Sequence, residues 1–216
     1  MTAGTAASRG GRPTAAAAAR LADDIVEVAT AAFLRDGYAA TSIESVAKQA
    51  RVGKRTIYAR FADKEALFAS VLERLMASWL ADPLPEPTPG RIETTLLGFA
   101  DRMLAIALQP QALALHRLLL AESGRFRQIP ALVRAAGTSA GLARIAAVLR
   151  EAVAAGDLPE IDVTFAAEQF MHLVLTGPQR RALGVGPPLD RTERADWARR
   201  SVALFLHGCR GLGAPL

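Results

Sequence analysis

Along most of this chain the apolar residues recur at intervals of three and four, alanine fills many of the positions between them, and runs of β-branched residues are few. A helix buries such a pattern on one face, whereas a strand needs a period of two. The reading is an all-α fold with no strand. Leu21, Ile25, Val28, Ala29, Ala32 and Phe33 share the face of a first helix, and Asp36-Gly37 supplies the glycine at which it stops. Thr41-Ser42-Ile43-Glu44 reads as a capping box, with the Thr41 oxygen accepting from the third amide and Glu44 reaching back to the cap amide. It opens a second helix that turns Ile43, Val46, Ala47 and Ala50 inward. Arg51-Val52-Gly53 is a tight turn. A third short helix follows, from Lys54 to near Phe61, anchored by Ile57 and Phe61. Asp63 can cap a fourth helix whose wide face carries Leu67, Phe68, Val71, Leu72, Leu75, Met76 and Trp79.

Residues 82–90 alternate proline with other residues and cannot be helical, because proline lacks a donor and pushes its predecessor extended. Beyond them the pattern predicts helices at about 91–108, 110–123, 138–155, 161–175 and 191–208. The expected organisation is a mobile basic arm over 1–19, a helix-turn-helix domain over 20–66, and a helical bundle over 67–216 reached through the long fourth helix.

Composition narrows the function classes. With 51% hydrophobic residues the chain is not disordered beyond its first twenty residues or so. Its lone cysteine, Cys209, permits no internal disulfide or thiol-zinc cluster, which fits a reducing cytoplasm. The N-terminal segment lacks the apolar core of a signal peptide. The most apolar stretch, 103–121, is interrupted by Gln109-Pro110-Gln111 and His116-Arg117, short of the roughly 20 residues that span a bilayer. His116, His172 and His207 stand apart, and neither a GxSxG nor a phosphate loop occurs. No catalytic residue, metal or cofactor is expected. The net charge of +5 is concentrated: positions 48–64 hold Lys48, Arg51, Lys54, Arg55, Arg60 and Lys64 against the single acid Asp63. A basic second helix of a helix-turn-helix is suited to duplex DNA, where neutralised phosphates release counterions.

Four ordered blocks carry a resemblance: Phe33-Leu-Arg-Asp-Gly-Tyr38, Thr41-Ser-Ile-Glu-Ser-Val-Ala47, Val52-Gly-Lys-Arg-Thr-Ile-Tyr58 and Phe61-Ala-Asp-Lys-Glu-Ala-Leu67. Together they resemble the DNA-binding domain of the tetracycline-repressor (TetR) family. The segment 115–126, Leu-His-Arg-Leu-Leu-Leu-Ala-Glu-Ser-Gly-Arg-Phe, is similar to the C-terminal domain of AefR-like members. The resemblance implies a cytoplasmic homodimer that binds double-stranded operator DNA and represses transcription until a small-molecule inducer releases it.

On that reading Thr41 and Ser42 offer hydroxyls and free amides to phosphate, while Lys54, Arg55 and Thr56 open the recognition helix, with Arg55 the principal base reader. Tyr58 is family-typical and reaches sugar or phosphate, unless it is a core tyrosine. Arg60 meets base or backbone, and Lys64 matches a lysine that reaches phosphate in similar proteins. The chain departs from the common pattern at Gly53, where serine often caps, and at Arg55, where glycine or proline is frequent. Arg9 and Arg12 of the arm either enter an adjacent minor groove or belong to a plain tail.

Trp79, Phe99, Met103, His116, Leu120, Phe165, Phe170 and Met171 are the candidate lining of an apolar or aromatic inducer's cavity, each equally able to be core. Trp79 sits where a ligand could push the fourth helix. Ile161, Phe165, Gln169, His172 and Val174, with Trp197, Val202, Phe205 and Leu206, are the candidate dimer face. The rival readings are a helical enzyme or carrier with an incidental basic module, and a DNA-binding protein without an inducer.

Overall fold

A computed structural model describes residues 15–79, 81, 90–122, 124, 126, 128–133 and 139–211. The expected arm, with Arg9 and Arg12, lies outside the described residues up to position 14, as do residues 82–89 of the proline-rich stretch. The described residues contain ten helices and no strand: α1 (Ala15–Asp36), α2 (Ile43–Gln49), α3 (Lys54–Tyr58), α4 (Lys64–Trp79), α5 (Ile92–Ala107), α6 (Pro110–Glu122), α7 (Gln128–Val133), α8 (Ser139–Ala154), α9 (Val163–Ala182) and α10 (Arg191–Gly211).

Several elements differ from expectation. Helix α1 begins at Ala15, six residues before Leu21, because the alanine run is strongly helix-forming even without an apolar period. The cap of α2 lies one residue later than expected: the Ser42 hydroxyl accepts from the Ser45 amide, and the Ser45 hydroxyl closes the box. Thr41 is buried, and its hydroxyl donates to the Gly37 carbonyl at 2.8 Å. In the α2–α3 turn the left-handed residue is Arg51, at φ 56°, while Gly53 is the extended N-cap of α3. Helix α7 has no counterpart in the sequence reading. Helix α9 continues through Thr176-Gly177-Pro178 to Ala182, where the periodicity predicted an end near 175. Pro178 withholds the donor that Val174 needs, and the Trp197 indole of α10 supplies it instead.

Two apolar cores organise the helices. The first joins α1–α4 with α6 and α7, through residues such as Phe33, Ile57, Phe68, Leu115, Leu118 and Ile129. Tyr38 stands at its centre, edge-on to Phe68 and Phe126 with ring centroids 5.0 and 4.9 Å apart. The second joins α5, α8, α9 and α10 around Leu96, Leu149, Phe170 and Val202. Neither short helix of the motif could persist alone, so tertiary burial of Val46 and Ile57 holds them. No single helix among the described residues is long and apolar enough to cross a membrane; α5 and α6 qualify only as a pair bent by 76°.

Candidate nucleic-acid interface

The α2–α3 unit presents its cations outward. Lys48, Arg51, Lys54 and Arg55 are exposed and Arg60 is half-buried, its guanidinium donating to the Thr56 carbonyl at 3.2 Å. Thr56 is half-buried at the first turn of α3. Tyr58 is 51% exposed, which excludes the core-tyrosine alternative and leaves its ring and hydroxyl free to meet a ligand. Ser42 is half-buried, with its hydroxyl committed to the cap. Lys54 is not a free cation: its ammonium lies 2.7 Å from the Glu44 carboxylate, an exposed pair that ties α3 to α2. The Lys54 hydrogen bond, above all, holds the Glu44 carboxyl below its ordinary pKa.

Lys64 occupies a different setting from that expected of a phosphate-binding point charge. Its ammonium donates to the carbonyls of Tyr38 at 2.8 Å, Thr41 at 3.0 Å and Ala39 at 3.4 Å, and stands over the Tyr38 ring. An ammonium has three donors, and all three are used within the protein. Burial lowers its pKa, and the Glu122 carboxylate opposes that shift. Lys64 therefore fastens the turn between α1 and α2, the turn that delivers Ser42 to its cap.

Glu122 was not legible as a functional residue, although a signal for it exists. It follows Leu115 and Leu118 at helical spacing on the buried face of α6, and an acid in a helix's last turn is disfavoured by the dipole. An acid in such a place is held there by a partner. Its Oε1 accepts from the Ala39 amide at 3.0 Å.

The eight candidate lining residues stand in different settings among the described residues. Among the described residues His116 and Met171 share a cleft, of about 220 Å³ between α6 and α9, which His172, Leu175, Thr176, Gln179 and Arg180 complete. Phe99 and Phe170 are buried in the second core and Met103 packs against it. Trp79 is buried in the first core, where its carbonyl accepts from Arg102 at 2.8 Å. Leu120 and Phe165 face outward, 66% and 58% exposed. The spacing of apolar residues could not separate these fates, because core and cavity lining share one period. Of the expected dimer face, Val174, Val202, Phe205 and Leu206 are buried inside the protomer. Phe165 of that expected face is exposed, as is Leu204, which borders a groove shared by Leu173, Trp197 and Arg200. Among the described residues no group of three metal-ligating side chains occurs.

Comparison with known proteins agrees with this geometry. Residues 25–71 match the family described as bacterial regulatory proteins, tetR family. Residues 94–208 match the AefR-like transcriptional repressor C-terminal domain. The HTH-type transcriptional repressor SCO4008 of Streptomyces coelicolor is 34% identical over 167 residues, 75% of this chain and 82% of that one. The HTH-type transcriptional repressor NicS of Pseudomonas putida is 38% identical over 60 residues, 28% of each chain. The solved structure of the flavonoid-responsive regulator FrrA superposes with a TM-score of 0.77 at 33% identity, covering 89% of this chain and 98% of that one. Members of this family bind operator DNA and function as dimers. The chain belongs to the TetR family and is a DNA-binding transcriptional repressor, not an enzyme.

Proposed function

We propose that this repressor is ligand-responsive, and that its inducer enters the cleft between α6 and α9. The observation that carries this reading is the position of α6 between two environments. Its Leu115 and Leu118 belong to the core that holds the DNA-binding helices, while the intervening His116 lines the cleft. A molecule that displaces α6 therefore acts on α1, against which α6 packs, and through α1 on α2 and α3 in the same core. It does so without the push on Trp79 that the sequence suggested, because Trp79 lies in the core away from this cleft.

The cleft favours an aromatic body with an acidic substituent. Met171 and Leu175 supply apolar wall, while His116, His172, Gln179, Thr176 and the Arg180 cation supply polar and charged groups. Its volume of about 220 Å³ accommodates a single ring, with larger molecules projecting beyond the rim. A phenol or phenolic acid fits this chemistry, and the flavonoid response named for the similar regulator FrrA belongs to the same class. The outward apolar residues Phe165 and Leu204 are the proposed dimer contacts on α9 and α10.

The DNA-facing residues on this reading are Lys48, Arg51, Arg55, Tyr58 and Arg60, with Lys54 joining them when it leaves Glu44. The test uses the operator that the protein selects from random duplex DNA, titrated with 4-hydroxybenzoate and with a hydroxylated flavonoid. Release by either probe, weakened by both His116→Ala and Arg180→Ala while unliganded DNA binding persists, is the expected outcome. Release that is unchanged in both variants would move the ligand out of this cleft, and no release by either probe would overturn the phenolic class.

A further inference from the structure

The turn between α1 and α2 is held from two sides by opposite charges on different helices. From α4, Lys64 donates to the carbonyls of Tyr38, Ala39 and Thr41. From α6, the Glu122 carboxylate accepts the Ala39 amide at 3.0 Å, bridging 83 positions of sequence. Glu122 is only 7% exposed, and its second oxygen, Oε2, is buried without a hydrogen-bond partner. Gly37 gives the carboxylate room: a Cβ there would stand 3.3 Å from Oε1, and the backbone at φ +87° disfavours any side chain.

A buried carboxylate with one unfilled oxygen is costly, and packing alone would be satisfied by an apolar residue. What a charged acceptor adds is direction. The apolar packing of α6 against α1 is non-directional and tolerates small displacements, whereas a charge-assisted hydrogen bond to one backbone amide fixes a register. The amide it fixes lies three residues before Ser42, the cap of α2, and α2 is joined to α3 by the turn at Arg51 and by the Glu44–Lys54 pair.

We infer that Glu122 is a positioning residue for operator recognition: through the Ala39 amide it sets the orientation of the α2–α3 unit on the C-terminal bundle, and so the half-site spacing a dimer accepts. The inference rests on the dimeric, DNA-binding character of the family, not on any inducer. Two recognition helices must match half-sites about one duplex turn apart or a multiple of it. One added base pair displaces a half-site by roughly 3.4 Å and rotates it, which a fixed unit cannot follow and a loosened one can.

The test compares three duplexes: the operator selected by the full-length protein, the same operator with one base pair added or removed at its centre, and an isolated half-site. Glu122→Ala should reduce the preference for the native spacing over the altered ones at least threefold, with half-site affinity within twofold of the unmodified protein. Glu122→Gln keeps an oxygen for the Ala39 amide but loses the charge that faces Lys64, and should fall between the two. A merely structural role would instead lower half-site and full-operator affinity together, and that outcome overturns the inference. So does an unchanged spacing preference in Glu122→Ala or, if that variant does not fold, in Glu122→Gln. Failure of the unmodified protein to select any operator would instead count against DNA recognition by this chain, a separate result.

Discussion

Trp197 supplies the hydrogen bond that Pro178 withholds. In a helix the Val174 carbonyl would accept from the amide of residue 178, but proline has none, and the Trp197 indole N–H from α10 donates to that carbonyl at 3.0 Å. The ring reaches it across Gly177, where an added Cβ would stand 2.5 Å from the indole. Tryptophan, glycine and proline on two helices thus form one joint beneath the groove that Leu173, Trp197 and Leu204 line.

Trp197→Phe should destabilise the protein by about 1–3 kcal/mol, since it leaves the Val174 carbonyl buried without a donor. In a Pro178→Ala background the helix regains its own donor, so the same substitution should cost less. A double-mutant cycle by denaturant unfolding reads the coupling. Additive effects would detach the two residues.

Lys64→Met should lower stability by about 1.5 kcal/mol, the low end for hydrogen bonds of a charged group, because the side chain is only partly enclosed. Its effect on DNA binding separates two roles. Were each Lys64 of a dimer on a phosphate, the slope of log K against log salt would fall by roughly two units, at about 0.9 per contact. With all its protons committed to the turn, the slope should change by less than half of that.

Glu44→Gln removes an acid from the surface that meets DNA and frees Lys54. Releasing Lys54 from this exposed ion pair should raise DNA affinity modestly, by no more than about a few-fold at low salt. The gain should shrink as salt rises. It also has a pH window. Lys54 lowers the Glu44 pKa in the folded protein, so the pair's contribution is present above the carboxyl's unfolded value and is lost as pH falls through the lower folded one. Once Glu44 is protonated, the Gln and Glu proteins should bind DNA alike, as fluorescence anisotropy across that range would reveal.

Arg55→Ala should relax base choice at one symmetric position in each half-site, at about 1–3 kcal/mol per lost bidentate contact, with less loss on random DNA. Selection of operators by the variant checks this; an unchanged motif of unchanged strength would place Arg55 on the backbone.

Gly53→Ser should stabilise the fold by about 0.4–1 kcal/mol, chiefly by restricting the unfolded chain. Gly53 is already extended at φ −74°, no side chain caps α3 there, and the nearest atom to an added Cβ is the Thr56 hydroxyl at 3.9 Å. Thermal unfolding would register the gain as a rise in Tm.

The sequence by itself determined what depends on local period and local chemistry. The all-helical class, the pair of short helices about Arg51-Val52-Gly53, the cluster of cations from 48 to 64 and the Asp63 cap of α4, whose carboxylate accepts the Ala66 amide at 2.8 Å, follow from residues a few positions apart. Exposure of Arg55 and Tyr58 agrees with the same reading. Tertiary structure decided everything that needed a partner distant in the chain. Lys64 looked like a free cation, because nothing local shows that the Tyr38, Ala39 and Thr41 carbonyls converge on it. Pro178 looked like the end of a helix, because its replacement donor sits nineteen positions on, at Trp197. Phe99, Phe170 and Trp79 carry the same apolar periodicity as a cavity wall, and only the packing of α5, α9 and α4 shows them to be core. Hydrophobic period states which face of a helix leaves water; it carries no information about which other helix covers that face, and the Glu122–Ala39 bond between α6 and the α1–α2 turn exists only once that choice is made.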